Sequence, residues 1–484
     1  MKKNNTYHIP FILIGLFYLP FIINNQLYVD DIFRAQNGFD GWSQNGRPLA
    51  DLLMHLLMIS SSKLPGYGIF GQILSVAVMS MTAIFYTRHI LGSTSVAALI
   101  CASGFALSPF YIENMLYQYD NLPMTLSLCG AVVASVYALK EDKIYFIASF
   151  IIIAFSAALY QTSINSYIAL VAVNLIVKLK KSNDCAKEVI ILALKAMASL
   201  AIGMILYYFI IKFAFPMTGT RDQAISLDAS LIDYFVKRMV RFYTLLGSSL
   251  SIYYVAIYLL TLALLVTTTK PRVSFLNIAI IIICVSVIAI SPIGMLAIFG
   301  ESAIAARMMM GAVGLTALIF TMISISEISN NKKYFAIAVI AIPLYVISYG
   351  FSFAIKEQRI YDKSILYLSI NDIRNSSDYN INSYIVYSGR APIAPLSINT
   401  VKAYPLISTM LVPTYDWTSS MAAQSIDIPN VKFNFAREEQ KKIISNVCAS
   451  ITKPIKSTNS YSIYFNKENN GFLIWLKGGG NTPC

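Results

Sequence analysis

The sequence predicts an α-helical polytopic membrane protein of about eleven transmembrane helices, followed by a C-terminal exported α+β domain. Of its 484 residues, 56% are hydrophobic and only 13% charged, with a mean hydropathy of +0.61, a balance that soluble globular chains do not reach. Apolar runs long enough to cross about 30 Å of hydrocarbon recur along the first 354 residues. From about Lys356 polar residues rise, Pro392, Pro395, Pro405 and Pro413 interrupt the chain, and β-prone runs appear at "SYIVYSG", "SIYFN" and "GFLIWLKGGG".

The runs fall at 7–24, 67–87, 94–112, 122–139, 144–160, 162–177, 189–213, 249–267, 274–294, 303–324 and 334–354. Lys2 and Lys3 precede the first as in a signal peptide, but "INNQLYVDD" has no small-x-small cleavage site, so the run is expected to stay as an anchor. Short loops rich in Lys and Arg remain in the cytoplasm. One set of connections carries Lys2 and Lys3, Arg88, Lys140 and Lys143, Lys178 to Lys187, Lys270 and Arg272, and Lys332 and Lys333, with few acids. The opposite set mixes its cations with acids. An odd number of spans then puts the N-terminus in the cytoplasm and the tail outside. The expected division is a transmembrane catalytic region at 1–355, with outer loops 25–66 and 214–248, and an exported domain at 356–484. The net charge of +13 is partly this topology signal and gives no reason to expect nucleic acid.

Polar residues concentrate on the outer side. Asp30 and Asp31 emerge just after the first run, Arg34 follows one helical turn after Asp30, and "NGRPL", with Arg47, leads into Leu49–Ile59. That stretch is too short to span and is expected to be an interfacial helix, with Asp51 and His55 on one face at i, i+4. A lone loop acid is ordinarily just solvated at the headgroups; an adjacent acid pair with two arginines and an interfacial helix is a stronger pattern. A second amphipathic stretch, 228–243, sets Arg238 and Arg241 opposite Leu231, Phe235 and Met239 and is expected to lie flat on lipid. Glu113 and Asp120 lie between the third and fourth runs. Glu301 and Arg307 open the tenth, where a cation one turn into an apolar helix needs an anion or a watery cavity. "YQTS", from Tyr160, reads as a tight outer turn.

A lipid-linked phosphosugar would use each of these residue types. A carboxylate can accept the proton of an attacking hydroxyl, and arginines can stabilise the departing phosphate. The interfacial helices would frame the lipid, and the exported domain would hold a large acceptor in line with the donor.

"DDIFR", "GWSQNGRPLADLL", "YQYDNLPM", "YQTS" and "ESAIAARMMMG", in this order along the membrane region, resemble the bacterial and prophage-encoded O-antigen glucosyltransferases of serotype-conversion cassettes. The last 130 or so residues carry little of the resemblance. It implies a GT-C-like inverting glycosyltransferase that moves glucose from undecaprenyl-phosphate glucose to the O-antigen of lipopolysaccharide at the periplasmic face. Its implied companions are a synthase for the lipid-linked glucose and a flippase. By the same resemblance one of Asp30 and Asp31 is the base, with Asp31 slightly preferred. Arg34, Arg47 and Arg307 are then the candidates for the donor phosphate, with Asp120 and Tyr160 in a supporting or acceptor-positioning shell; from their place in the outer segments, Arg238 and Arg241 are further candidates for the phosphate and Glu301, Asp51 and His55 for support of the site or the acceptor. Adjacent carboxylates can hold a divalent metal, but a monophosphate flanked by arginines has less need of one, and no cofactor is expected.

Rival readings are a polyprenyl-phosphate-sugar transferase acting on lipid A, teichoic acid or protein, an O-antigen polymerase, or a lipid-linked sugar flippase. A transporter concentrates charge at mid-membrane, whereas Lys195 and Lys212, the charges within a span, sit near its ends. No Walker loop, CxxC pair or HExxH motif is present, and three histidines cannot make a histidine-rich metal site. Cys448 and Cys484 share the oxidising side, either as a disulfide or as two free thiols.

Overall fold

The structure is a computed structural model that describes residues 6–181, 186–215, 230–268, 275–294, 305–449 and 453–479. The chain is mostly helical: α1 (Ile9–Asn24), α2 (Asp30–Asn37), α3 (Pro48–Met58), α4 (Phe70–Tyr86), α5 (Val96–Ala102), α6 (Ile112–Leu116), α7 (Asn121–Tyr137), α8 (Lys143–Leu159), α9 (Ser163–Lys181), α10 (Ala186–Phe209), α11 (Ser230–Thr268), α12 (Phe275–Ile290), α13 (Val313–Ile325) and α14 (Asn330–Arg374). Every predicted apolar run contains helix among the described residues. Among the described residues, four are long and apolar enough to cross a membrane, Phe70–Leu91, Ser163–Lys181, Ala186–Ala214 and Asn330–Arg374; Val96–Leu107 with Pro109–Leu116, bent by 48°, would make a fifth. The bend falls where Pro109 forces Ser108 into an extended conformation, ψ 125°.

The chain divides into two compact units, residues 1–25, 39–349 and 404–406 in one, and 26–38, 350–403 and 407–484 in the other. The segment that carries Asp30, Asp31 and Arg34 thus groups with the C-terminal residues.

In the first unit α7 is the central helix, against α4, α8 and α9. Small residues let helices approach closely: a Cβ on Gly314 of α13 would stand 2.4 Å from that of Ala169 on α9. Several buried polar groups between helices are paired, which offsets the cost of burying them in an apolar bundle. Tyr86 donates to Asn174 Oδ1 at 2.6 Å, and Asn174 donates to Ser135 Oγ at 3.1 Å. α1 is tied to α14 by Ser348 Oγ donating to the Phe17 carbonyl at 2.6 Å.

Two local expectations change. The stretch at 228–243 opens α11, which runs unbroken to Thr268; no proline and one glycine, Gly247, stand in it, so nothing in the backbone ends a separate interfacial helix. Arg307 lies in a 3-10 turn, Ala306–Met308, ahead of α13 and not one turn into an apolar helix, and its N–H is taken by a side chain described below.

The second unit adds β1 (Tyr384–Arg390), α15 (Ile398–Ala403), α16 (Pro405–Met410), α17 (Asp416–Ser425), α18 (Arg437–Cys448), β2 (Lys456–Ser457), β3 (Tyr461–Asn466) and β4 (Gly471–Lys477). The sheet order is β1-β4-β3-β2, with β1 parallel to β4 and the other pairs antiparallel. Strand alternation builds both cores. Ile385, Tyr387, Phe472 and Ile474 meet Ile365, Ile370 and Ile373 from the end of α14, while Val386 and Leu473 meet Val447 of α18. Cys448 is disulfide-bonded; Cys484 lies outside the described residues.

Candidate functional site

Tyr160 ends α8 in an extended conformation, and the next residues turn the chain into α9, as "YQTS" predicts. The Arg47 guanidinium lies 4.4 Å from the centre of the Tyr160 ring, and Arg47 Nε donates to Gln161 Oε1 at 3.0 Å. The Gln161 amide donates in turn to the carbonyls of Asn45 at 2.8 Å and Gly46 at 3.2 Å. Tyr207, from α10, donates to the same Gly46 carbonyl at 2.9 Å. Arg47 is thereby fixed from both ends, by its loop and by its ring.

The Tyr160 hydroxyl donates to the Arg307 carbonyl at 3.2 Å, and Asn114 donates to the same oxygen at 3.2 Å. Glu113, only 3% exposed, accepts the Arg307 backbone N–H at 2.8 Å, and its other oxygen lies 3.9 Å from the guanidinium. That guanidinium also stands 4.7 Å over Tyr117. The partner of Arg307 is therefore Glu113, a residue 194 positions away, whereas Glu301 lies outside the described residues. Two half-buried guanidinium forks, each on an aromatic face, share one tyrosine.

Trp42 joins two further acids to this unit. Its indole donates to Asp120 Oδ1 at 2.5 Å, and its backbone N–H donates to Asp51 Oδ1 at 3.1 Å. Asp51 Oδ2 also takes the Ser43 N–H, so this carboxylate holds the loop ahead of α3. His55, one turn on, bonds Asp40 Oδ2 at 3.1 Å and the Ser60 carbonyl at 2.7 Å, closing the other end. Trp42 packs in a buried cluster with Ala50, Met54, Leu64 and Tyr119, while Leu52, Leu56 and Ile59 are exposed.

In the second unit, Asp31 is fully buried and its Oδ2 accepts the Tyr28 N–H at 3.0 Å, while its own N–H donates to the Tyr28 carbonyl at 3.0 Å. This reciprocal closure holds Val29 at φ 43°, a left-handed value costly for a β-branched residue. Asp30 is only partly buried and Arg34 is buried. Tyr28 is anchored through its hydroxyl to the Met410 carbonyl at 2.6 Å and lies 5.8 Å beneath Arg359. Arg359 pairs with Asp362 at 3.3 Å, which also takes the Thr414 N–H at 3.1 Å.

Of the predicted residues, Arg47, Arg307 and Tyr160 form one cluster, Asp51 and Asp120 meet at Trp42, and Asp30, Asp31 and Arg34 share α2. Arg238 stacks 5.9 Å over Tyr234 of its own helix, and Arg241 is exposed on α11. The sequence did not single out Trp42, Gln161, Tyr117 or Tyr207; the signal for Glu113 was a charge inside the apolar "FYIENML". Among the described residues no three His, Cys, Asp or Glu side chains converge on a metal position.

The family model described as Glucosyl transferase GtrII matches residues 19–318, a range that contains every predicted site residue and stops short of the C-terminal sheet. The chain is 25% identical over 248 residues to an uncharacterized 55.3 kDa protein in the gtrB 5' region of Salmonella phage P22, a match covering 49% of each chain. It thus spans about half the length of that curated relative. No solved structure matches it.

Proposed function

Because the chain belongs to the glucosyl transferase GtrII family, we propose that it transfers glucose from undecaprenyl-phosphate glucose to the O-antigen of lipopolysaccharide, at the periplasmic face of the inner membrane and with inversion. The observation that carries the donor assignment is the pair of half-buried guanidiniums, Arg47 and Arg307, mounted on Tyr160 and Tyr117. Planar forks held in this way suit a phosphate that gains charge as it leaves.

In the proposed reaction an acceptor hydroxyl gives its proton to a carboxylate as its oxygen bonds to the anomeric carbon. The bond from that carbon to the phosphate oxygen breaks, and its electron pair leaves with the lipid phosphate. We assign the base to Asp30. Asp31, slightly preferred from the sequence, is buried and engaged with the Tyr28 N–H, which makes it the positioning partner of the pair. The reaction so written uses no metal. A synthase and a flippase would supply the lipid-linked glucose.

The test is donor dependence in reconstituted vesicles. Arg307→Lys and Arg47→Lys should each lower kcat/KM for the lipid donor by roughly 10- to 100-fold, because an ammonium keeps the charge and loses the fork, with acceptor KM unchanged. Donor kinetics identical to wild type in both variants would refute the phosphate assignment.

A further inference from the structure

A row of aromatic rings in the second unit has no part in the reaction as written. Phe33 of α2 meets Phe435 edge-to-face at 4.9 Å, Phe435 lies 5.9 Å from Trp417, and Trp417 lies 5.7 Å from Tyr415. The Arg390 guanidinium ends the row, 5.7 Å over Tyr415. None of these rings belongs to the unit's two buried cores. Phe435 is 58% exposed, and Phe33, Tyr415 and Trp417 are partly exposed.

Charge surrounds the row. Asp30 begins the helix that carries Phe33, and Phe33 lies one turn along it. Burial pushes the Tyr415 phenol above its ordinary pKa, and the Asp30 and Asp416 carboxylates push it further.

We infer that this row is the acceptor platform, and that it binds a neutral polysaccharide whose sugar rings lie against Phe435, Trp417 and Tyr415 with hydroxyls directed to Arg390, Asp416 and Asp30. The inference rests on the proposed glycosyl transfer and specifies its acceptor site. A sugar ring offers an apolar C–H face to an aromatic surface and hydroxyls at its edge, so it covers the rings and still satisfies the charged groups around them. An acyl chain would cover the rings and desolvate two carboxylates and a guanidinium without offering them hydrogen bonds. The row also lies outside the family-matched range except for Phe33, as expected of an element that sets which O-antigen is used.

The experiment uses the full chain in lipid nanodiscs and O-polysaccharide freed from lipopolysaccharide by mild acid. Binding is measured without donor, and acceptor kinetics with it. Phe435→Ala and Trp417→Ala should weaken binding about tenfold and raise acceptor KM to match, leaving donor KM and kcat at saturating acceptor unchanged. Trp417→Phe should recover most of the loss, and Phe275→Ala, an exposed ring in the other unit, should have no effect. Unchanged polysaccharide affinity in both alanine variants, or no binding by wild type, would overturn the platform. If wild type transfers no glucose to any O-polysaccharide but the alanine variants still lose binding, the platform stands and the transfer reaction is wrong.

Discussion

Tyr160 shows how one side chain can organise a cationic site: its ring carries the Arg47 guanidinium and its hydroxyl holds the Arg307 main chain. The two acids of α2 divide the work differently. Asp31 is committed to the Tyr28 turn, while Asp30 keeps a partly exposed carboxylate. Asp30→Asn should therefore cut transfer by roughly 10²- to 10⁴-fold, the range of a lost general base, without lowering the melting temperature. Asp31→Asn should lower the melting temperature as well, since it disturbs the turn that holds Val29. Equal melting temperatures with activity lost only in Asp31→Asn would reverse the assignment.

His55 supplies a pH test at the same scale. Burial lowers its pKa, but the hydrogen bonds to Asp40 and to the Ser60 carbonyl outweigh this and leave it above 6.5. Both partners accept, so both ring nitrogens must donate, and only the imidazolium can do that. A raised folded pKa adds stability that is complete below the unfolded value and disappears as pH rises through the folded one. The melting difference between wild type and His55→Gln should be largest below pH 6.5 and shrink as the solution is made more alkaline. A gap that stays constant with pH would show that His55 acts by packing alone.

Among the elements, helix position was legible in the sequence because apolar length and flanking charge are local signals. Helix interruption was not. The 3-10 turn at Arg307 involves a partner far along the chain, the Glu113 carboxylate that accepts its N–H. The α11 case is the reverse: amphipathicity over 228–243 suggested a separate element, and an unbroken backbone continued it. Close helix contacts are likewise invisible until the helices are paired. Gly314 looks ordinary in "GAVGLTAL", yet any larger side chain there meets Ala169. Gly314→Leu should destabilise the bundle by about 1–3 kcal/mol or more, read as a lower melting temperature in detergent, while Gly247→Leu, with open space around it, should not. Matching losses at the two glycines would argue against the α9–α13 contact.

For the whole molecule, the order of motifs along the membrane region pointed to the family, and the 19–318 match bears that out. The C-terminal tail was recognisable as α+β from its short β-prone runs. What the sequence hid was that residues 26–38 fold with that tail, since Tyr28 finds its hydrogen-bond partner at Met410, 382 residues later. Separate units for the acid pair and for the two tyrosine-mounted arginines make the base and phosphate assignments independently testable.

The most direct measurement is glucosyl transfer by the purified chain in vesicles, offered either undecaprenyl-phosphate glucose or a nucleotide-linked glucose, with O-polysaccharide as acceptor. Transfer from the lipid-linked donor alone, lost in Asp30→Asn and reduced in Arg307→Lys, is the predicted result. Transfer from the nucleotide sugar with none from the lipid-linked donor would contradict the account, because it would leave the two arginines without the phosphate they are proposed to hold.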